Sequence, residues 1–158
     1  MSNALKITTP SDREIAMSRV FDAPRRLVYE AYMTPELLKR WLGVFNGWTL
    51  DVCEIDLRVG GAYRYEWNRA GTNMGLSGTY VEIVPDARVV STEVFDDPWY
   101  EGKGLSTVTF DEAGGKTTLT MKIQYDSKAV RDAVLQSPME RGVAASFDKL
   151  DELVVARV

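Results

Sequence analysis

The segment 137–158 constrains the fold of this chain most strongly, because it reads as one long amphipathic helix. It opens Ser-Pro-Met-Glu, where Ser can cap the free backbone N–H groups, Pro fits the first helical position and Glu completes a capping box. Apolar side chains then recur at spacings of four and three, which places one face together: Met139, Val143, Phe147, Leu150 and Val154. A helix of about five turns can cross a small domain, and its apolar face needs a sheet to cover it.

The sequence between residues 14 and 125 supplies that sheet. Side chains alternate with a period of two over several segments, and most of the connections are rich in Gly, Pro, Asn and Asp. The predicted strands are 14–21, 48–55, 62–68, 76–84, 88–95, 105–111 and 117–125. Two short helices are predicted between the first two strands, over 22–32 and 34–42, and a third over 127–136.

Short connections between successive strands favour an antiparallel meander, and one long helix against it gives an α+β domain of two layers. A sheet of six or seven strands must curl because strands twist, so its concave face wraps the helix. We expect a single domain over 1–158, with 1–12 as a flexible N-terminal segment.

Composition excludes several classes of function. The net charge is −4 with no cluster of Lys or Arg, which argues against a nucleic-acid surface. The chain has no histidine and one cysteine, Cys53, so a transition-metal site has almost no ligands and no cofactor is predicted. No apolar run approaches the ~20 residues of a membrane span, and no signal peptide is evident. A cytoplasmic protein is therefore expected, with Cys53 as a buried, inert thiol.

Six short motifs, in order, resemble one family over nearly the whole chain. They are VFDAP at 20–24, TPELLKRW at 34–41, DLRVGG at 56–61, GTYVEIVP at 78–85, TEVFDDPW at 92–99 and MERG at 139–142. Together they are similar to the SRPBCC (START-like) superfamily, which shares the birch pollen allergen fold, and within it to the group named after the C-terminal domain of the activator of Hsp90 ATPase. The resemblance implies a helix-grip fold with a ligand cavity between the sheet and the C-terminal helix. Relatives often carry an aromatic residue where this chain has Val143, so the resemblance implies either a larger cavity here or a neighbouring side chain that fills the space.

Aromatic side chains on one strand face suggest what lines such a cavity. Tyr63, Tyr65 and Trp67 alternate with charged residues, and the last strand shows the same period. Either these residues line an apolar pocket with a few polar groups, or they fill a plain core. The predicted lining residues are Trp41, Trp48, Tyr63, Tyr65, Trp67, Tyr80, Glu93, Phe95, Trp99, Met121, Met139, Val143 and Phe147.

Glu93 is the candidate for chemistry, because it shares a strand face with Phe95 and Val89. A carboxylate on an apolar face can act as an acid or base, or can anchor a ligand hydroxyl. The alternative is a solvent-facing residue, or a structural ion pair with Arg64 or Arg58. Tyr80 and Glu82 share a face by the same spacing and leave the same alternatives open.

Three functions follow from these observations. The first is binding of a hydrophobic or amphipathic small molecule, lipid- or polyketide-like, between sheet and helix. The second is a metal-independent cyclase or dehydratase that uses Glu93 with a pocket tyrosine such as Tyr65. The third is a co-chaperone-like or regulatory protein-interaction module. A homodimer is common among such small domains.

Overall fold

The structure is a computed structural model that describes residues 3–96 and 102–158. Its strands are β1 (Lys6–Thr8), β2 (Glu14–Phe21), β3 (Thr49–Ile55), β4 (Ala62–Arg69), β5 (Thr72–Val84), β6 (Arg88–Phe95), β7 (Gly104–Ala113) and β8 (Lys116–Gln124). Its helices are α1 (Arg25–Met33), α2 (Pro35–Leu38), α3 (Lys128–Leu135) and α4 (Met139–Val155). Among the described helices, none combines the length and apolarity that a membrane crossing requires.

The eight strands form one antiparallel sheet in the order β1-β2-β8-β7-β6-β5-β4-β3. Strands β3 to β8 follow one another as a meander. The last of them, β8, pairs with β2, and Glu14 lies opposite Gln124. The predicted α+β helix-grip arrangement is confirmed: a curved sheet covers a long C-terminal helix, and two short helices follow β2. The described residues form eight strands, one more than predicted.

The second half of α4 packs tightly on the sheet. Leu150 and Val154 are fully buried, and the ring of Phe147 meets that of Phe21 on β2 edge to face, with centroids 5.7 Å apart. Beside them the buried Arg19 guanidinium donates a 2.9 Å hydrogen bond to the Asp148 carboxylate. These contacts fix the position of the helix on the strand.

The first half of α4 is less buried, with Met139 and Val143 only partly covered. The helix begins at Met139, and the predicted capping box is wrong: the Ser137 hydroxyl donates to the Val134 carbonyl oxygen at 2.6 Å instead. Its oxygen accepts only a long 3.4 Å bond from the Met139 amide. Ser137 therefore closes the end of α3, and α4 begins after Pro138 without a side-chain cap.

Two boundaries differ from the sequence prediction. No strand is predicted within 1–12, but Lys6–Thr8 pairs with β2 as an edge strand, with Ile7 opposite Met17. Three residues are too few to show a period. Strand β5 begins at Thr72 instead of 76, because β4 and β5 are joined by two residues, Ala70 and Gly71, both with positive φ. A tight hairpin requires that conformation, and alanine rarely signals it.

Shortening a buried side chain should lower the free energy of unfolding more in the second half of α4 than in the first. Leu150→Ala removes a fully buried side chain, so we expect the free energy of unfolding to fall by about 3 kcal/mol. Val143→Ala trims a side chain that is only partly covered, so the loss should stay below about 1 kcal/mol. Urea denaturation of both variants measures the difference, and equal losses would show that both halves pack as core.

Candidate functional site

A large cavity lies beneath the first half of α4. Its volume is about 450 Å³, and its walls come from α1, the segment after α2, strands β4, β5, β6 and β8, and α4. The lining consists of Tyr32, Leu42, Gly43, Phe45, Trp48, Trp67, Met74, Phe95, Met121, Ser137, Pro138, Met139, Gly142, Val143, Ser146 and Phe147. We call this cavity the outer chamber, because lining residues such as Met74, 40% exposed, reach the surface. Its wall is almost entirely apolar.

The loop between α2 and β3 forms one side of the outer chamber and is held at two points. The Trp67 indole Nε1 donates to the Leu42 carbonyl oxygen at 2.9 Å, and the Gly43 amide donates to the Ser146 hydroxyl of α4, also at 2.9 Å. Gly43 has a φ of +69°, and a Cβ there would lie 2.4 Å from the Trp67 indole nitrogen. Only glycine allows this approach, so the loop is fixed to both the sheet and the helix.

A second, smaller cavity of about 120 Å³ adjoins the first and shares Tyr32, Leu42, Trp67 and Met121 with it. Strands β4 to β7 supply most of its other walls: Tyr63, Tyr65, Leu76, Tyr80, Val89, Ser91, Glu93, Ser106 and Val108, with Met33 from α1. We call it the inner chamber. Its lining carries more phenol and hydroxyl groups than the outer chamber, and it adds the Glu93 carboxylate.

A hydrogen bond from a side chain to the backbone crosses the sheet beside the inner chamber. The Tyr63 hydroxyl donates to the backbone carbonyl oxygen of Thr92 on β6 at 2.6 Å. Gly78 of β5 lies under this bond, and a Cβ there would stand 1.8 Å from the same carbonyl oxygen. A side chain from β4 thus bonds to the backbone two strands away, which fixes the Tyr63 ring.

Glu93 follows Thr92 on β6 and lines the inner chamber. Its partner across the sheet is Gly104, where a Cβ would lie 2.8 Å from the Glu93 Cγ. Glycine at that position leaves space for the carboxylate side chain. Arg64 and Arg58, the predicted alternative partners, instead bond to Asp96 at 2.6 Å and to Asp56 at 2.8 Å, respectively.

Burial sets the protonation of the inner tyrosines. It raises the pKa of Tyr63, Tyr65 and Tyr80 above the usual value for a phenol, and the nearby Glu93 carboxylate adds to the rise at Tyr63. All three side chains are therefore neutral hydrogen-bonding groups at neutral pH. Within the described residues, no group of three or more Cys, Asp and Glu side chains is placed to hold a metal ion.

The hydroxyl of Tyr80 differs from its neighbours. Tyr80 is 3% exposed, and its hydroxyl makes no hydrogen bond with any described residue. The adjacent Tyr65 phenol offsets a small part of the rise in the Tyr80 pKa, but the pair does not reach hydrogen-bond geometry. Tyr80 thus lines the inner chamber and carries an unsatisfied hydroxyl, whereas the Tyr63 hydroxyl is bonded.

Residues 22–155 match the family model described as activator of Hsp90 ATPase homolog 1-like protein. The chain belongs to this family. The predicted membership of the SRPBCC superfamily is thereby confirmed. No curated protein matches the sequence.

Solved structures of bacterial proteins share the fold over nearly the whole chain. A protein from Rhodobacter sphaeroides is 28% identical with a TM-score of 0.91, over 97% of this chain and 99% of that one. A Chromobacterium violaceum protein is 30% identical with a TM-score of 0.73, over 91% and 98%. A Nitrosomonas europaea protein is 21% identical with a TM-score of 0.82, over 94% and 98%, which bears on the fold alone.

The structure gathers eleven of the thirteen predicted lining residues of this family member around the two chambers. They are Trp48, Tyr63, Tyr65, Trp67, Tyr80, Glu93, Phe95, Met121, Met139, Val143 and Phe147. Trp41 lies in the core instead: it is fully buried, and its indole donates to the Ala31 carbonyl oxygen at 3.0 Å. Trp99 lies outside the described residues. That the eleven contact a ligand stays a prediction.

Other parts of the sequence interpretation also meet the structure. Glu82 does not share the inward face with Tyr80, because the register with β6 shifts between them; Glu82 is exposed and pairs with Arg88. Cys53 is buried as predicted, and desolvation raises the pKa of its thiol to about 11.

Phe45 and Met74 line the outer chamber but are not among the predicted lining residues. Phe45 lies between Gly43 and Gly47, and these two glycines were its signal, whereas Met74 gave none.

Two conservative substitutions should separate the bonded tyrosine from the unsatisfied one. Tyr63→Phe breaks its bond to Thr92, so the free energy of unfolding should fall by about 1–2 kcal/mol. Tyr80→Phe removes a buried hydroxyl without a partner, so stability should stay equal or rise by about 1 kcal/mol. Chemical denaturation reports both changes, and a loss at Tyr80 as large as that at Tyr63 would contradict the assignment.

Proposed function

We propose that this protein binds a hydrophobic or amphipathic small molecule in the cavity between the sheet and α4. The observation that carries the proposal is the outer chamber, about 450 Å³ of mostly apolar space beside a smaller one whose lining has more polar groups. Sites for small molecules typically range over ~300–1,000 Å³, with apolar walls and a few placed polar groups. The two chambers together match that description.

The size of the outer chamber supports a binding role over a packing fault. Protein interiors are close-packed, and an empty apolar space lowers stability in proportion to its volume. Here the wall is built with specific features, namely the Gly43 approach to Trp67 and the bond from Gly43 to Ser146. A larger side chain at Val143 would take up part of this space, and the chain does not carry one.

The protonation of the inner tyrosines favours binding over acid–base catalysis. Since burial raises the pKa of Tyr63, Tyr65 and Tyr80, these phenols can donate hydrogen bonds but cannot serve as bases near neutral pH. Glu93 is then the one carboxylate among the described lining residues. The cyclase or dehydratase alternative rests on that single group.

Filling the outer chamber tests the proposal. Val143→Phe should lower the affinity for N-phenyl-1-naphthylamine, a neutral apolar fluorophore, by about tenfold or more, because the added ring occupies the ligand's space. Fluorescence titration measures the dissociation constant. The control is Val155→Phe, the same change at a position of α4 that is 45% exposed and outside the lining.

The control should bind the fluorophore as the wild type does, and both variants should retain the wild-type circular dichroism. Absence of binding by the wild-type protein would refute the proposal. Equal affinities of Val143→Phe and the wild type would place the binding site elsewhere.

A further inference from the structure

We infer that the ligand of this cavity carries a hydrogen-bonding head without negative charge, such as a hydroxyl group, and that this head lies in the inner chamber against Tyr80. This inference rests on the proposed function and adds the chemical class and the orientation of the ligand. It follows from three features of the described lining: an unsatisfied donor, the sign of the charge and the partition between the chambers.

The unsatisfied donor is the Tyr80 hydroxyl. It is buried, makes no hydrogen bond with a described residue and borders the inner chamber. A buried polar group without a partner destabilises a folded protein, so a partner from the ligand would remove that cost on binding. A hydroxyl head suits this position because it can both donate and accept.

The charge of the described lining argues against an anionic head in the inner chamber. Among the described residues around both chambers, Glu93 is the one charged side chain, and neither Lys nor Arg is present. The nearby Arg64 points away from the chambers to Asp96 and Glu66. A carboxylate or phosphate head would lose its hydration without gaining a cation, and would face the Glu93 carboxylate. A neutral hydroxyl head loses less hydration than an anion does, and the Glu93 carboxylate does not repel it.

The side chains between the two chambers leave a route for the polar head of the ligand to enter the inner chamber. Tyr32 and Met121 belong to both linings, and the Tyr32 hydroxyl donates only a weak bond to the Met121 sulfur at 3.7 Å. Methionine has three rotatable bonds and adapts easily. Rotation of Met121 would join the two spaces, with the apolar body of the ligand in the outer chamber and its head in the inner one.

Three probes with one apolar body test this class: 4-butylphenol, butylbenzene and 4-butylbenzoate at neutral pH, each titrated by displacement of N-phenyl-1-naphthylamine. We expect the phenol to bind about tenfold tighter than butylbenzene and the benzoate to bind weakest. Tyr80→Phe should weaken binding of the phenol about five- to tenfold and leave butylbenzene within about twofold. The control Tyr29→Phe, which alters a tyrosine outside both linings, should change neither affinity.

The outcomes separate this inference from the proposed function. If the benzoate binds tightest, or if the phenol and butylbenzene bind equally, the inference is wrong while binding in the cavity stands. An unchanged phenol affinity in Tyr80→Phe would also overturn it. If the fluorophore does not bind the wild-type protein, the proposed function itself fails.

Discussion

The packing of the second half of α4 on β2 is the contact on which the rest of the structure depends. Phe147 and Leu150 bury the helix against the sheet, and the bond from Arg19 to Asp148 holds it beside the same strand. Because a helix is stiff over a few turns, anchoring one half fixes the line of the other. Met139 and Val143 then border a space that the sheet does not fill. The outer chamber is thus a consequence of where the helix is anchored.

The inner chamber has a different origin, in the sheet itself. Its shape depends on two glycines, Gly78 and Gly104, that leave room for Tyr63 and Glu93 on neighbouring strands. Any larger residue at either position would displace a polar side chain of the chamber. The apolar space therefore comes from helix placement and the polar groups from strand positions. The two features therefore depend on different parts of the chain.

Sequence reasoning recovered the elements wherever the period was long enough to read. Strands 14–21 and 88–95 have the predicted bounds, whereas Lys6–Thr8 is too short for a period to appear. The lining was harder, because a buried aromatic reads the same in a core as in a cavity wall. Trp41 fits an apolar helical stripe but packs in the core, since its position depends on α1 and α4. The alternation of side chains along the strand gave the wrong face for Glu82, because the register between β5 and β6 shifts between Tyr80 and Glu82.

What no pattern in the chain could give is the state of individual polar groups. Tyr63 and Tyr80 are both strand tyrosines on the same face, with ring centroids 5.4 Å apart, yet one hydroxyl is bonded and the other is not. The Tyr63 hydroxyl reaches the Thr92 carbonyl oxygen past Gly78 of β5, and the strand pattern does not show that contact. An unsatisfied hydroxyl beside a cavity lowers the stability of the empty protein. Any ligand that bonds to it stabilises the fold by more than its apolar contacts alone, so recognition and stability are coupled at this one atom.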